Sequence, residues 1–151
     1  AAQLSLRRSA KHHEQSYHGH QHIVVLDQDR GVRQLLSDVL TRHSYPVTAS
    51  GEPSEVFQLL RTTPEPPNLL IADMGGAQAG DAEKLRAILT ERPEVKVLLL
   101  AGQSFQSEIL EILGEHSIPV LSKPFSPEAL LVAVRSILEI LSRRRANARG
   151  W

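Results

Sequence analysis

The 151 residues contain no cysteine. That excludes disulfide staples and thiolate metal sites, and it fits a reducing compartment. Net charge is also missing: 17 Lys+Arg balance 17 Asp+Glu, so nothing in the bulk charge favours nucleic acid. Long apolar runs are absent too. The longest, Val97 to Ala101 and Ala129 to Val134, fall far short of the roughly 20 residues that a membrane span requires. No apolar h-region follows the N-terminus, so no signal peptide is expected. A chain of this length holds one sizeable core but not comfortably two. The expectation is a single soluble, cytoplasmic domain.

Its two ends differ from the middle. Residues Ala1 to Gln21 are polar and carry Arg7, Arg8 and Lys11 with His12, His13, His18 and His20; His22 lies just beyond. Imidazole suits zinc, copper and nickel, but nothing suggests a packed shell to orient these rings. A flexible arm or linker over 1–21 is the reading adopted. At the other end, Ser142 to Trp151 is a basic tail with Arg143, Arg144, Arg145 and Arg149. Arginines there also suit the C-terminal dipole of a fraying helix.

Between them, over 22–141, strand and helix signals alternate. Ile23-Val24-Val25-Leu26 is an unbroken apolar run, mostly β-branched, of the kind buried on both faces of a sheet. Val32, Leu35, Leu36, Val39 and Leu40 then recur at helical spacing. Pro46 to Ala49 is a short second strand, followed by a helix from Pro53 with Val56, Leu59 and Leu60. The Thr63-Pro64-Glu65-Pro66-Pro67 segment stops it. Leu69 to Ala72 forms a third strand ending at Asp73; Leu85, Ile88 and Leu89 mark a helix closed by Pro93. Val95 to Leu100 is the fourth strand. Phe105, Ile109, Leu110, Ile112 and Leu113 mark a helix ending near Gly114. Pro119 to Ser122 is the fifth strand. Ser126 then caps a helix with Pro127 at its first position and Leu130, Val134, Ile137, Leu138 and Leu141 on its inner face. This alternation implies an α/β fold, a parallel sheet covered on both faces.

Ligands of such sheets gather beyond the carboxyl ends of the strands. There lie Asp27-Gln28-Asp29 after the first strand, Asp73-Met74-Gly75-Gly76 after the third, Ala101-Gly102 after the fourth and Lys123-Pro124-Phe125 after the fifth. Taken singly, such aspartates are usually turn or cap residues. Jointly, carboxylates with one lysine suit a divalent cation and an arriving anion. A carboxylate so placed can act as a phosphoryl-accepting nucleophile. The first turn, Asp27 to Gly31, is acidic and lacks a glycine-rich phosphate loop. That speaks against a nucleotide- or flavin-binding domain.

Three motifs, Val24-Val25-Leu26-Asp27, Pro67-Asn68-Leu69-Leu70-Ile71-Ala72-Asp73 and Leu121-Ser122-Lys123-Pro124-Phe125-Ser126-Pro127-Glu128, together resemble the receiver domain of bacterial two-component response regulators. The resemblance covers about His22 to Leu141. It implies a doubly wound, five-stranded parallel sheet in order 2-1-3-4-5, the flavodoxin-like receiver fold. It further implies Asp73 as phosphoacceptor, Asp27, Asp73 and the Gly75 carbonyl as Mg²⁺ ligands, Lys123 against the phosphoryl group, and a cis bond before Pro124. The implied partner is a histidine kinase or a histidine phosphotransfer protein, with a homodimer through the fourth helix, fifth strand and fifth helix as a further expectation. No nucleic-acid or membrane partner is expected. The domain is a signalling module and not an enzyme, although a parent hybrid kinase is compatible with it.

The chain departs from the family pattern at four places. Gln28 replaces a second acid, giving a neutral oxygen to the metal site; Asp29 is either a compensating ligand or the cap of the first helix. Ala101 replaces a Ser or Thr, so no hydroxyl meets the phosphoryl oxygens. Val120 replaces the aromatic of the switch. The loop after Asp73 reads Gly75-Gly76-Ala77, without the usual proline. Two functions follow: a phosphoacceptor of a two-component phosphorelay, or a pseudo-receiver that serves as a phosphate-independent interaction or dimerisation module.

Overall fold

The computed structural model describes residues 21–75, 78–102 and 107–148, with side chains except at 107, 108, 113 and 140–148. Among them alternate β1 (Ile23–Leu26), α1 (Arg30–Arg42), β2 (Val47–Ser50), α2 (Pro53–Thr62), β3 (Leu69–Asp73), α3 (Asp81–Glu91), β4 (Lys96–Ala101), α4 (Ser107–His116), β5 (Val120–Ser122) and α5 (Pro127–Ala148). Residues 1–20 of the expected arm, Phe105, the Gly76-Ala77 pair and 149–151 lie outside the described residues, as do the side chains of Leu113, Leu141, Arg143, Arg144 and Arg145. The five strands form one parallel sheet in the order β2-β1-β3-β4-β5.

Period-two alternation divides the central strands between two cores. Ile23 and Val25 of β1 join Leu69, Ile71, Leu98 and Leu100 beneath α1 and α5. Val24 and Leu26 join Leu70, Ala72, Val97 and Leu99 beneath α2, α3 and α4. This double coverage is why β1, β3 and β4 are nearly continuous apolar runs. The edge strands β2 and β5 are half-buried or exposed, and their sequences are correspondingly less apolar. No helix among the described residues is long and apolar enough to cross a membrane.

Helix ends follow local chemistry. Asp29 caps α1, its Oδ1 accepting from the N–H groups of Gly31 and Val32 at 2.9 and 3.1 Å. Ser126 caps α5 by accepting from the Ala129 N–H at 3.0 Å. α2 opens on Pro53 and stops one residue short of Thr63-Pro64, where a further turn would meet the proline ring.

Several positions differ from the periodicity reading. Leu35 is 41% exposed, because five positions span a wider arc than the stripe of α1 that meets the sheet. Leu110 is 55% exposed for the same reason, while Ile109 and Ile112 face inward. Phe57 enters the core beside Val56 and Leu60, and Leu59 is only partly buried. α4 passes through Gly114 and ends at His116; the chain turns at Ser117, which takes a left-handed φ of 52°. A helical glycine costs about 1 kcal/mol, which the burial of Ile109 and Ile112 offsets. α5 continues without a break past Leu141 to Ala148.

Phe57 is fully buried between sheet and helices, so Phe57→Ala should remove about 3–5 kcal/mol of stability. Urea denaturation at unchanged m-value measures it; a loss under about 1 kcal/mol would contradict this packing.

Candidate functional site

Register brings the acidic residues together. β1 and β3 pair with Leu26 opposite Ala72, so the next residues, Asp27 and Asp73, leave the sheet side by side at its carboxyl edge. β4 and β5 pair with Ala101 opposite Ser122, and Lys123 follows at once. Its N–H donates to the Ala101 carbonyl at 2.8 Å. Its stem runs over Gly102, where an added Cβ would lie 3.6 Å from Lys123 Cδ. The Lys123–Pro124 peptide bond is cis.

Lys123 Nζ donates to Asp27 Oδ2 at 2.8 Å and to Asp73 Oδ2 at 2.5 Å. One ammonium thus serves two carboxylates. The remaining oxygens are held locally: Asp27 Oδ1 accepts from the Asp29 N–H at 2.9 Å, and Asp73 Oδ1 from the Gly75 N–H at 2.7 Å. A Cβ at Gly75 would lie 2.9 Å from that Asp73 oxygen, so glycine there is a matter of room. Asp27 is 1% exposed, and a carboxylate so buried needs its partners. Burial pushes the Lys123 ammonium down, but the hydrogen bonds and charges of Asp27 and Asp73 outweigh it, and the net displacement is upward.

The group opens into a cleft of about 430 Å³ lined by Asp27, Gln28, Asp29, Asp73, Gly75 and Lys123. Gln28 is exposed within it. Asp29 is the cap of α1 and lines the cleft as well. No group of three or more His, Cys, Asp or Glu side chains suited to a metal converges among the described residues. Two carboxylates, an amide oxygen and backbone remain, a hard-oxygen donor set that fits Mg²⁺ with waters completing its shell. Ala101, half-buried at the end of β4, offers no hydroxyl to the cleft. Val120 on β5 is 42% exposed.

Arg33 was not singled out in the sequence. Its Nη1 donates to the Asp27 carbonyl at 2.7 Å, directly behind the acidic turn. Nothing in the pattern separates it from the neighbouring surface arginines Arg30 and Arg42.

The response regulator receiver domain family matches residues 23–135. The chain belongs to this family, the receiver domain of two-component systems. It is 29% identical over 117 residues to Protein PetR of Rhodobacter capsulatus, covering 78% of this chain and 48% of that protein. It is 27% identical over 116 residues to the response regulator MprA of Mycobacterium ulcerans, covering 77% and 49%. The chain therefore spans about half the length of these curated relatives. Among solved structures it resembles a CheY-like receiver domain protein of Methanospirillum hungatei JF-1, with TM-score 0.73 and 19% identity over 82% of this chain and 98% of that one. The signal receiver domain of an HD domain-containing protein from Pseudomonas fluorescens Pf-5 gives TM-score 0.71 and 25% identity, over 83% and 92%. Receiver domains are signalling domains that work with histidine kinases or phosphotransfer proteins and generally bind Mg²⁺ at an acidic site.

Because the Lys123 ammonium is held above its ordinary value, its ion pairs stabilise the fold fully below the unfolded lysine pKa. That contribution is lost as pH rises through the higher folded value. Relative to Lys123→Met, the unaltered chain should keep a constant advantage at neutral pH and lose it above about pH 10.4. Denaturant titrations at stepped pH measure this; an advantage constant through the alkaline range would contradict the shared ammonium.

Proposed function

We propose that the chain is a phosphoacceptor: Asp73 takes a phosphoryl group from the phosphohistidine of a histidine kinase or histidine phosphotransfer protein. The observation that carries this reading is the single Lys123 ammonium within hydrogen-bond reach of both Asp73 and Asp27. Asp73 is the partly exposed member of the pair, with a side-chain exposure of 22% against 2% for Asp27, so it is the one a donor can reach.

In the transfer an Asp73 oxygen attacks phosphorus, the O–P bond forms as the donor's N–P bond breaks, and the imidazole leaves with a proton from solvent. Positioning and charge supply most of the catalysis in phosphoryl transfer. Lys123 balances the incoming phosphoryl oxygens, and the Gly75 N–H fixes the rotamer of the Asp73 carboxylate. Asp27, Asp73, the Gly75 carbonyl and the Gln28 amide would hold Mg²⁺. When bound, the ion polarises the donor phosphoryl group. Gln28 removes one negative charge from that set, which weakens cation binding while leaving the nucleophile in place.

A second reading is favoured by a different observation. Leu110 on α4, Val120 on β5 and Val132 on α5 are exposed apolar residues on three successive elements, a face suited to a second copy of the chain. With Ala101 and Val120 unable to relay a phosphoryl group by hydroxyl and aromatic movement, this face would serve an interaction or dimerisation module that needs no phosphate.

Two outcomes are expected. Incubation with acetyl phosphate and Mg²⁺ should add one phosphoryl mass to the unaltered chain, removable by hydroxylamine as an acyl phosphate requires, and none to Asp73→Asn. No adduct from acetyl phosphate or from any phosphohistidine donor would favour the second reading. In a Mg²⁺ titration followed by amide shifts, Gln28→Asp should bind roughly tenfold more tightly, since charge on the ligands sets cation affinity. Equal binding would mean that position 28 does not reach the ion.

A further inference from the structure

Behind the cleft, Arg33 occupies a place that the chemistry of Asp73 does not explain. It lies on the first turn of α1, its own N–H donating to the Asp29 carbonyl at 2.9 Å. The side chain folds back toward β1, where Nη1 donates to the Asp27 carbonyl at 2.7 Å and reaches the Gln28 carbonyl at 3.5 Å. Among the described residues no carboxylate lies within ion-pair distance of it. A guanidinium is a planar fork of donors, able to hold carbonyls in a set direction as an ammonium is not. Here a full cation is spent on main-chain carbonyls, at the turn that carries the acidic cleft.

The third wall of this seat is Gly51, in the loop between β2 and α2. A Cβ there would lie 2.6 Å from Arg33 Nη1 and 3.5 Å from the Asp27 carbonyl oxygen. Gly51 does not have the left-handed φ that would by itself call for glycine. The residue leaves room for the guanidinium.

The fixed carbonyl governs the carboxylate of the same residue. Asp27 donates its N–H to the Ser50 carbonyl at 3.2 Å, and its Oδ1 accepts from the Asp29 N–H at 2.9 Å. Rotation of the peptide between Asp27 and Gln28 would swing the carbonyl away from Arg33 and carry the following amides with it. The Asp29 N–H would then leave Oδ1, and Asp27 Oδ2 would lose its alignment with Lys123.

We propose that Arg33 is a positioning residue of the acidic cleft, its guanidinium seated between Gly51 and the Asp27 carbonyl so that the Asp27–Asp29 turn keeps the shape that receives a divalent cation. This rests on the reading that the cleft takes Mg²⁺. Groups that orient a metal ligand typically contribute 10- to 100-fold to affinity, so Arg33→Ala should raise the Mg²⁺ dissociation constant by roughly tenfold. Arg33→Lys should recover only part of that. Gly51→Ala, which keeps the arginine but fills its seat, should act in the same direction.

The experiment is a Mg²⁺ titration of the full chain and these three variants, followed on the Asp29 and Gly75 amides, with hydrogen exchange of the Asp29 N–H measured without metal. The expected result is weaker Mg²⁺ binding together with faster Asp29 exchange, while core amides such as Leu36 keep their protection. Wild-type binding and wild-type Asp29 exchange in a folded Arg33→Ala would overturn the proposal. If Arg33→Ala does not fold, the same result in both Arg33→Lys and Gly51→Ala would overturn it. Absence of Mg²⁺ binding in the unaltered chain would count against metal-assisted phosphoryl acceptance; the exchange comparison would still decide the role of Arg33.

Discussion

One ammonium shared by two carboxylates organises the carboxyl edge of this sheet. Lys123 comes from beyond β5, Asp27 from beyond β1 and Asp73 from the end of β3, so the three meet only if the strand order and both registers are right. A one-residue slip of β1 against β3 would turn Asp27 to the opposite face of its strand and bury an unpaired charge. The central strands pack into both cores, and that packing makes such a slip costly. The apolar layers therefore hold the polar site in place. In turn the site limits a loop: Gly75 must stay small beside Asp73.

The parts of this arrangement visible in the sequence were those with short-range causes. The runs of β1, β3 and β4 announce strands buried on both sides, and Ser126-Pro127 announces a helix start. The motif ending at Asp73 and the Lys123-Pro124-Phe125 motif carried the family resemblance, and the strand order 2-1-3-4-5 followed from that. Asp29 stood between two roles in the sequence; its hydrogen bonds to Gly31 and Val32 establish the cap. What escaped depended on helix rotation and tertiary reach. Whether Leu35 or Phe57 enters the core turns on how each helix rolls on the sheet, which periodicity leaves open by a residue. Arg33 looks like any surface arginine until its guanidinium is found against the Asp27 carbonyl. α4 runs two residues past Gly114 to His116, because glycine is a weak breaker where inward apolar residues hold the helix.

The departures from the family pattern divide by location. Gln28 sits at the cleft and alters the charge offered to a cation. Ala101 ends β4 and Val120 begins β5. The proposed acceptor and its lysine are intact, whereas the residues at the family's hydroxyl and aromatic positions are small and apolar. Exposed Leu110, Val120 and Val132 add apolar surface to α4, β5 and α5.

The shared ammonium is open to direct measurement. The chain has four lysines, Lys11, Lys84, Lys96 and Lys123, and nitrogen-detected spectra of their ammonium groups resolve how fast each exchanges with water. One slowly exchanging ammonium signal is expected, lost in Lys123→Met and accelerated in Asp73→Asn, because two carboxylates hold its protons. If all the lysine ammonium groups exchange alike, Lys123 is not shared between Asp27 and Asp73, and no common ammonium holds the two carboxylates together.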